Sequence, residues 1–129
     1  MARRPLQLGL GLVLVAAGAY MIFSPLVVAE VYSRPHETSS QMINLRASGG
    51  TVVGIGAFIA WLPALRPWLR AGLGLLLCSM AGIGLARAIG FVLDGHPDGL
   101  QWVWMIAEVT IVVVCALVLR AKKWARDAR

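Results

Sequence analysis

The segment LQWVWMIAEVTIVVVCALVL, residues 100–119, followed at once by Arg120, Lys122 and Lys123, decides the class of this protein. A helix of about 20 residues, rising about 1.5 Å per residue, covers the about 30 Å of hydrocarbon in a bilayer. The cations that follow stop insertion and sit well at a helix C-terminus. The run is too long for a strand. Working outward, three more segments pass the same test: residues 69–92, 43–62 and 6–28, the last with Pro25 as a kink or an end. The chain therefore reads as an all-α integral membrane four-helix bundle, antiparallel and up-down-up-down, forming a single domain over residues 1–129.

Composition agrees. A chain of 129 residues that is 59% hydrophobic and only 14% charged, with a mean hydropathy of +0.77, does not suit a soluble globule. Its net charge of +6 does not point to nucleic acid, because the cations lie between apolar runs rather than on one polar face. Membrane lipids, an anionic lipid among them, are the expected partners. Cys78 and Cys115 fall inside apolar runs without metal or disulfide spacing and read as buried apolar residues.

The connections set the orientation. Residues 63–67 form a tight proline-punctuated turn with Arg66, and Asp94-Gly95-His96-Pro97-Asp98-Gly99 is an acidic turn. The first connection, residues 29–42, is polar and the longest, with room for structure of its own. Arg3, Arg4, Arg66, Arg70 and the C-terminal cations fall on one side, whereas Arg34 stands alone in a loop on the other. Short basic loops stay cytoplasmic, so both termini are expected inside. Trp61, Trp68 and Trp124 then fall at the inner interface, and Trp102 and Trp104 near the outer one. A cleavable leader ending near Ala17-Gly18-Ala19 would leave three spans, but the apolar run continues through Met21, Ile22 and Phe23, which favours a true span.

Three ionisable residues lie inside the spans: Arg46, Arg87 and Glu108. A charge near a helix centre costs about 2.5 to 3.5 kcal/mol, so such residues must earn their place. Counted inward from the outer ends, Arg46 is about 5 Å deep, Arg87 about 7 Å and Glu108 about 12 Å. An Arg87 to Glu108 pair is easy across the short turn between spans three and four. Arg46 shares a face with the small residues Gly49, Gly50 and Gly54, and Gly82, Ala86 and Gly90 form a second close-packing stripe beside Arg87. Gln101, Glu108 and Cys115 repeat every seven residues, which turns Glu108 inward.

The expected role of this cluster is a salt-bridge network that fixes helix packing. Two arginines against one glutamate leave one positive charge over, so the alternative is a site for an anionic lipid head group or a carboxylate ligand at the outer leaflet. A proton or ion relay through Glu108 lacks polar residues in the inner half. His36 and His96, in the outer loops with Glu30, Glu37, Asp94 and Asp98, read as solvated loop residues; no cofactor or metal is expected. Gly50 and Gly54 match a homodimerisation motif, but packing within the chain is the more economical use. There is no Ser/His/Asp arrangement, phosphate loop or zinc motif.

The order Asn44, Arg46, Gly49-Gly50, then Arg87, Asp94-Gly95 with Pro97, and Glu108 resembles a bacterial family of small four-helix membrane proteins catalogued only as a domain of unknown function. The similarity runs through nearly the whole chain, most clearly from Asn44 to Glu108. It implies a bacterial inner-membrane protein and singles out the same charged residues, without supplying an activity. Small multidrug exporters also have four spans, but they carry a glutamate in the middle of the first span, and here no acidic residue precedes Glu30. The expected function is a non-catalytic accessory or assembly component of a membrane complex. A small transporter or lipid-binding protein using the charge cluster is the alternative. A membrane enzyme would need the histidine and carboxylate loops to gather round one cleft.

Overall fold

The computed structural model describes residues 3–61 and 68–127. Five helices follow one another: α1 (Arg3–Phe23), α2 (Pro25–Tyr32), α3 (Ser39–Trp61), α4 (Trp68–Leu93) and α5 (Gly99–Asp127). No strand occurs among the described residues. Helices α1, α3, α4 and α5 are each long and apolar enough to cross a membrane, as the spans of a membrane protein must be. The turn at residues 63–67 lies outside the described residues, as do the side chains of Arg3, Arg4, Trp68, Lys122, Lys123, Trp124, Arg126 and Arg129.

The first span, expected over residues 6–28 with Pro25 as a kink or an end, is divided at Pro25 into α1 and α2. Proline has no N–H to give to the preceding turn, and the helix stops where Pro25 demands it. The Ser24 N–H still reaches the Tyr20 carbonyl at 2.8 Å, and α2 then restarts with Pro25 in its first turn. Helix α2 closes at Ser33, which takes the left-handed conformation (φ 50°), while the Arg34 N–H bonds the Ala29 carbonyl at 2.9 Å. The expected loop at residues 29–42 thus shrinks to residues 33–38. Helix α3 begins at Ser39, ahead of Ile43, because Thr38 and Gln41 cap it reciprocally. The Gln41 N–H donates to Thr38 Oγ1 (3.3 Å), and Gln41 Oε1 accepts from the N–H groups of Thr38 (3.1 Å) and Glu37 (2.8 Å). At the other loop, Asp98 caps α5 by accepting the Gln101 N–H at 2.9 Å.

The helices pack in chain order: α1 on α3, α3 on α4 and α4 on α5, with no extensive interface between α1 and α5. The bundle is therefore an open row with α3 inside it. Small residues let the row close tightly. A Cβ placed on Gly50 would collide with the Gly82 carbonyl oxygen, and one on Gly54 with the Cys78 carbonyl oxygen. As α3 advances from Gly50 to Gly54, α4 retreats from Gly82 to Cys78, so the two are antiparallel. The stripe expected to be one face is in fact two. Gly49 lies against α1, where an added Cβ would stand 2.8 Å from the Gly18 carbonyl oxygen, whereas Gly50 and Gly54 lie against α4. Ala86 is fully buried, and Gly90 packs on Ile43, itself fully buried. The motif of Gly50 and Gly54 is occupied by the chain's own helix.

The Gly50 contact yields a direct test. Gly50→Ala forces two backbones apart and should destabilise the protein in mild detergent by about 1–3 kcal/mol. Gly72, also helical, has open space where a Cβ would go, so Gly72→Ala should hold or raise stability by helix propensity. Equal melting of the two variants would refute the close approach.

Candidate functional site

The buried polar residues of the described chain are Arg46, Arg87, Gln101 and Glu108. They gather toward the end of the row that carries the α2–α3 and α4–α5 loops. Arg87, late on α4, meets Glu108 of α5. Its Nη2 donates to Oε1 at 2.9 Å, and its Nε lies 3.2 Å from each carboxylate oxygen. The side chains of this pair are each 7% exposed. Its Nη1 donates to Gln101 Oε1 and, at 3.4 Å, to Asn44 Oδ1. Gln101 Nε2 in turn donates to Asn44 Oδ1 at 3.1 Å and to the Ser40 carbonyl at 3.5 Å. One guanidinium thus binds three helices together.

Arg46 does something different. Its Nε and Nη2 grip Asp94 through both carboxylate oxygens, at 2.6 and 2.7 Å, and its Nη1 donates to the Ile22 carbonyl. The Ile22 carbonyl sits in the last turn of α1, where the break at Ser24-Pro25 takes away the intrahelical donors. Such a group cannot be left bare in hydrocarbon without a cost of several kcal/mol. Arg46 satisfies it and ties α1 to α3 and to the end of α4.

The single cluster of two arginines and one glutamate is therefore two separate pairs. Asp94, expected as a turn and loop residue, is the second carboxylate, and the surplus positive charge does not arise. The signal for Asp94 was present: it continues the four-residue series Gly82, Ala86, Gly90 on the face of α4 that meets α3. Asn44 and Gln101 also join the network. Their roles depend on which neighbour holds each amide oxygen, which no spacing reveals. On α5 the buried residues Gln101, Glu108 and Cys115 repeat every seven positions, the stripe that the sequence pattern picks out. Cys115 is buried, Cys78 half-buried, and both are free thiols.

Ser40 and Asp98 close the loop end. Ser40 Oγ donates to Asp98 Oδ2 at 2.8 Å, beside the capping bond from the Gln101 N–H. These donors, the Gln101 N–H first, hold the Asp98 carboxyl below the usual aspartate range. His36 and His96 are exposed. Among the described residues no three His, Cys, Asp or Glu side chains come together as a metal site would need.

Chemically, this arrangement is closed. Each arginine faces one carboxylate, and the remaining guanidinium donors meet amide or carbonyl oxygens. Such a network neutralises itself and organises helices. A family described as a domain of unknown function, DUF4345, matches residues 4–119 of the chain. No curated protein and no solved structure matches it.

The paired arrangement and the Asp98 cap can each be tested. Removing one partner of a buried pair leaves a bare charge, so Glu108→Gln and Asp94→Asn should each cost about 3–5 kcal/mol in detergent stability. Double-mutant cycles should show strong coupling within Arg87/Glu108 and within Arg46/Asp94, and near-additivity for Arg46 with Glu108. Strong coupling in that cross pair would sink the two-pair reading. The cap offers the second test. Because folding lowers the Asp98 pKa, its contribution is present above the unfolded value of about 3.9 and lost as pH falls through the folded value. The melting-temperature gap between wild type and Asp98→Ala should therefore narrow on acidification below about pH 4, and a gap constant from pH 7 to 3 would exclude this role.

Proposed function

The chain belongs to the DUF4345 family of unknown function, and we propose that it is a non-catalytic accessory or assembly component of a larger membrane complex. In this reading it is a multi-pass protein of the bacterial inner membrane with both termini cytoplasmic. The observation that carries the proposal is the self-neutralised network. Arg46, Arg87, Asp94 and Glu108 spend their charges on one another and leave none to polarise a substrate or conduct an ion. The same pairing counts against an anion site at Arg46 or Arg87.

The shape of the row supports a partner. Among the described residues, helix α5 has α4 as its one extensive neighbour. Its outward stripe, Trp102, Ile106, Val109, Val113 and Leu117, is at least half exposed. A fixed scaffold presenting one whole helix face suits attachment to another membrane protein, and the gathering of Lys and Arg on one side of the spans supports the orientation.

A photocrosslinking residue at Val109 or Val113, combined with native mass spectrometry after gentle extraction from the source membrane, tests this. The expected result is a stoichiometric protein partner crosslinked through α5. A chain that crosslinks only to lipid, with no protein retained, would overturn the accessory role. For topology, alkaline phosphatase fused after Arg129 should be inactive and after His96 active, and the reverse pattern would invert the orientation.

A further inference from the structure

A groove of about 540 Å³ runs along the side of α3 next to α1 and α2. It belongs to neither ion pair. At its mouth lie Tyr32, Arg34, Gln41 and Asn44; Met21, Val28, Leu45 and Val52 line the rest with apolar surface. From Gln41 to Val52 the helix advances about 16 Å, which is half of the about 30 Å hydrocarbon thickness. The groove therefore extends from the α2–α3 loop down one leaflet, polar at the loop end and increasingly apolar below.

The polar end has a defined sign. Gln41 Oε1 is already taken by the N–H groups of Glu37 and Thr38. Asn44 Oδ1 is taken by Arg87 and Gln101. Arginine and backbone N–H groups only donate, so these partners fix which end of each amide is the oxygen. The Nε2 of Gln41 and the Nδ2 of Asn44 are left over as donors, without a protein acceptor among the described residues. Arg34 lies in the same wall, exposed, and its guanidinium makes no ion pair or hydrogen bond there. Deeper down, the hydroxyls of Ser48 and Thr51 donate back to the Asn44 and Ala47 carbonyls at 3.3 and 3.2 Å, so they add no donor. The mouth thus offers one permanent cation and two amide N–H₂ groups with no competing carboxylate in the wall.

We propose that this groove holds an anionic phospholipid from the leaflet on the α2–α3 loop side. Its phosphate sits among Arg34, Gln41 and Asn44, and one acyl chain lies over Met21, Val28, Leu45 and Val52. Charge-assisted hydrogen bonds from a guanidinium suit phosphate oxygens, and a groove one leaflet deep with an apolar lower half suits an acyl tail. The site differs from the ion pairs and stands whether or not a protein partner covers α5.

The test is native mass spectrometry of the full-length protein, delipidated and titrated with dioleoyl phosphatidylglycerol, with dioleoylglycerol as the chain-only comparison. The expected result is one phosphatidylglycerol bound per chain, at least tenfold tighter than dioleoylglycerol. Arg34→Gln should weaken phosphatidylglycerol about tenfold without changing dioleoylglycerol, and Val52→Trp should weaken both by filling the apolar half. Arg120→Gln, at an exposed cation elsewhere, should do neither. Both groove variants should melt like wild type when delipidated, because neither touches the ion pairs. Equal affinity for the two lipids, or wild-type binding by Arg34→Gln, would overturn the proposal; if Val52→Trp failed to fold, Arg34→Gln alone would still decide.

Discussion

Hydrocarbon solvates neither an ion nor a bare carbonyl, and the way this chain meets that constraint shapes everything else in it. The penalty for an ion out of water is several kcal/mol even after relaxation. Arg87 and Glu108 cancel each other, as do Arg46 and Asp94. The choice of arginine follows from the geometry. A guanidinium offers donors in several fixed directions, whereas an ammonium is a point charge. Arg87 can therefore hold a carboxylate from α5 with one edge while reaching amides of α3 and α5 with another. Arg46 grips both oxygens of Asp94 and still reaches back to the Ile22 carbonyl. Lysine, with one nitrogen, could not reproduce the two-oxygen grip on Asp94 together with the Ile22 bond at position 46, or the three-residue reach at position 87.

Charge pairing needs the helices close, and closeness is what the small residues provide. Within a bilayer, apolar side chains gain little by leaving lipid for protein, so association rests on contact between backbones and on polar bonds across helices. Helix α3 is approached from two sides, and it meets α1 with Gly49 and α4 with Gly50 and Gly54. A bulky residue on either line would widen the gaps that Arg46 spans, to the Ile22 carbonyl on α1 and to Asp94 at the end of α4. The glycines and the ion pairs are thus one device: the first sets the distance, the second sets the register and the satisfied valences.

The four apolar helices and the inward stripe on α5 were legible in the sequence because both are periodic properties, visible in run length and in seven-residue spacing. The break at Pro25 was equally legible, since it follows from a missing N–H. The division of Gly49 from Gly50 and Gly54 was not, because adjacent helical residues point about 100° apart and only the placement of two neighbours shows that both directions are used. Asp94 was masked by its company: next to Gly95, with His96 and Pro97 following, it has every mark of a turn residue, and it does end its helix there, with its N–H on the Gly90 carbonyl at 2.8 Å. A residue can close a helix with its backbone and neutralise a buried arginine with its side chain, and composition alone registers only the first. The early start of α3 was readable from Thr38 and Gln41 as a capping pair, but hydropathy, which begins at Ile43, drew the boundary too late.

Asn44 joins the internal network to the surface of the protein. Its oxygen is committed to Arg87 and Gln101, and this commitment leaves only its nitrogen to act in the groove that Asn44 lines. An unconstrained asparagine could turn either end to a visitor and so would read no sign of charge. Held this way, it can only donate. The orientation is maintained by Arg87, which in turn is held by Glu108, so a carboxylate on α5 determines the hydrogen-bonding character of a groove wall on α3. The ion pair need not touch a ligand to matter to binding, because it acts by removing a choice from the residue that does. With Arg46 paired to Asp94 and Arg87 to Glu108, this indirect route links the internal network to the wall of the groove.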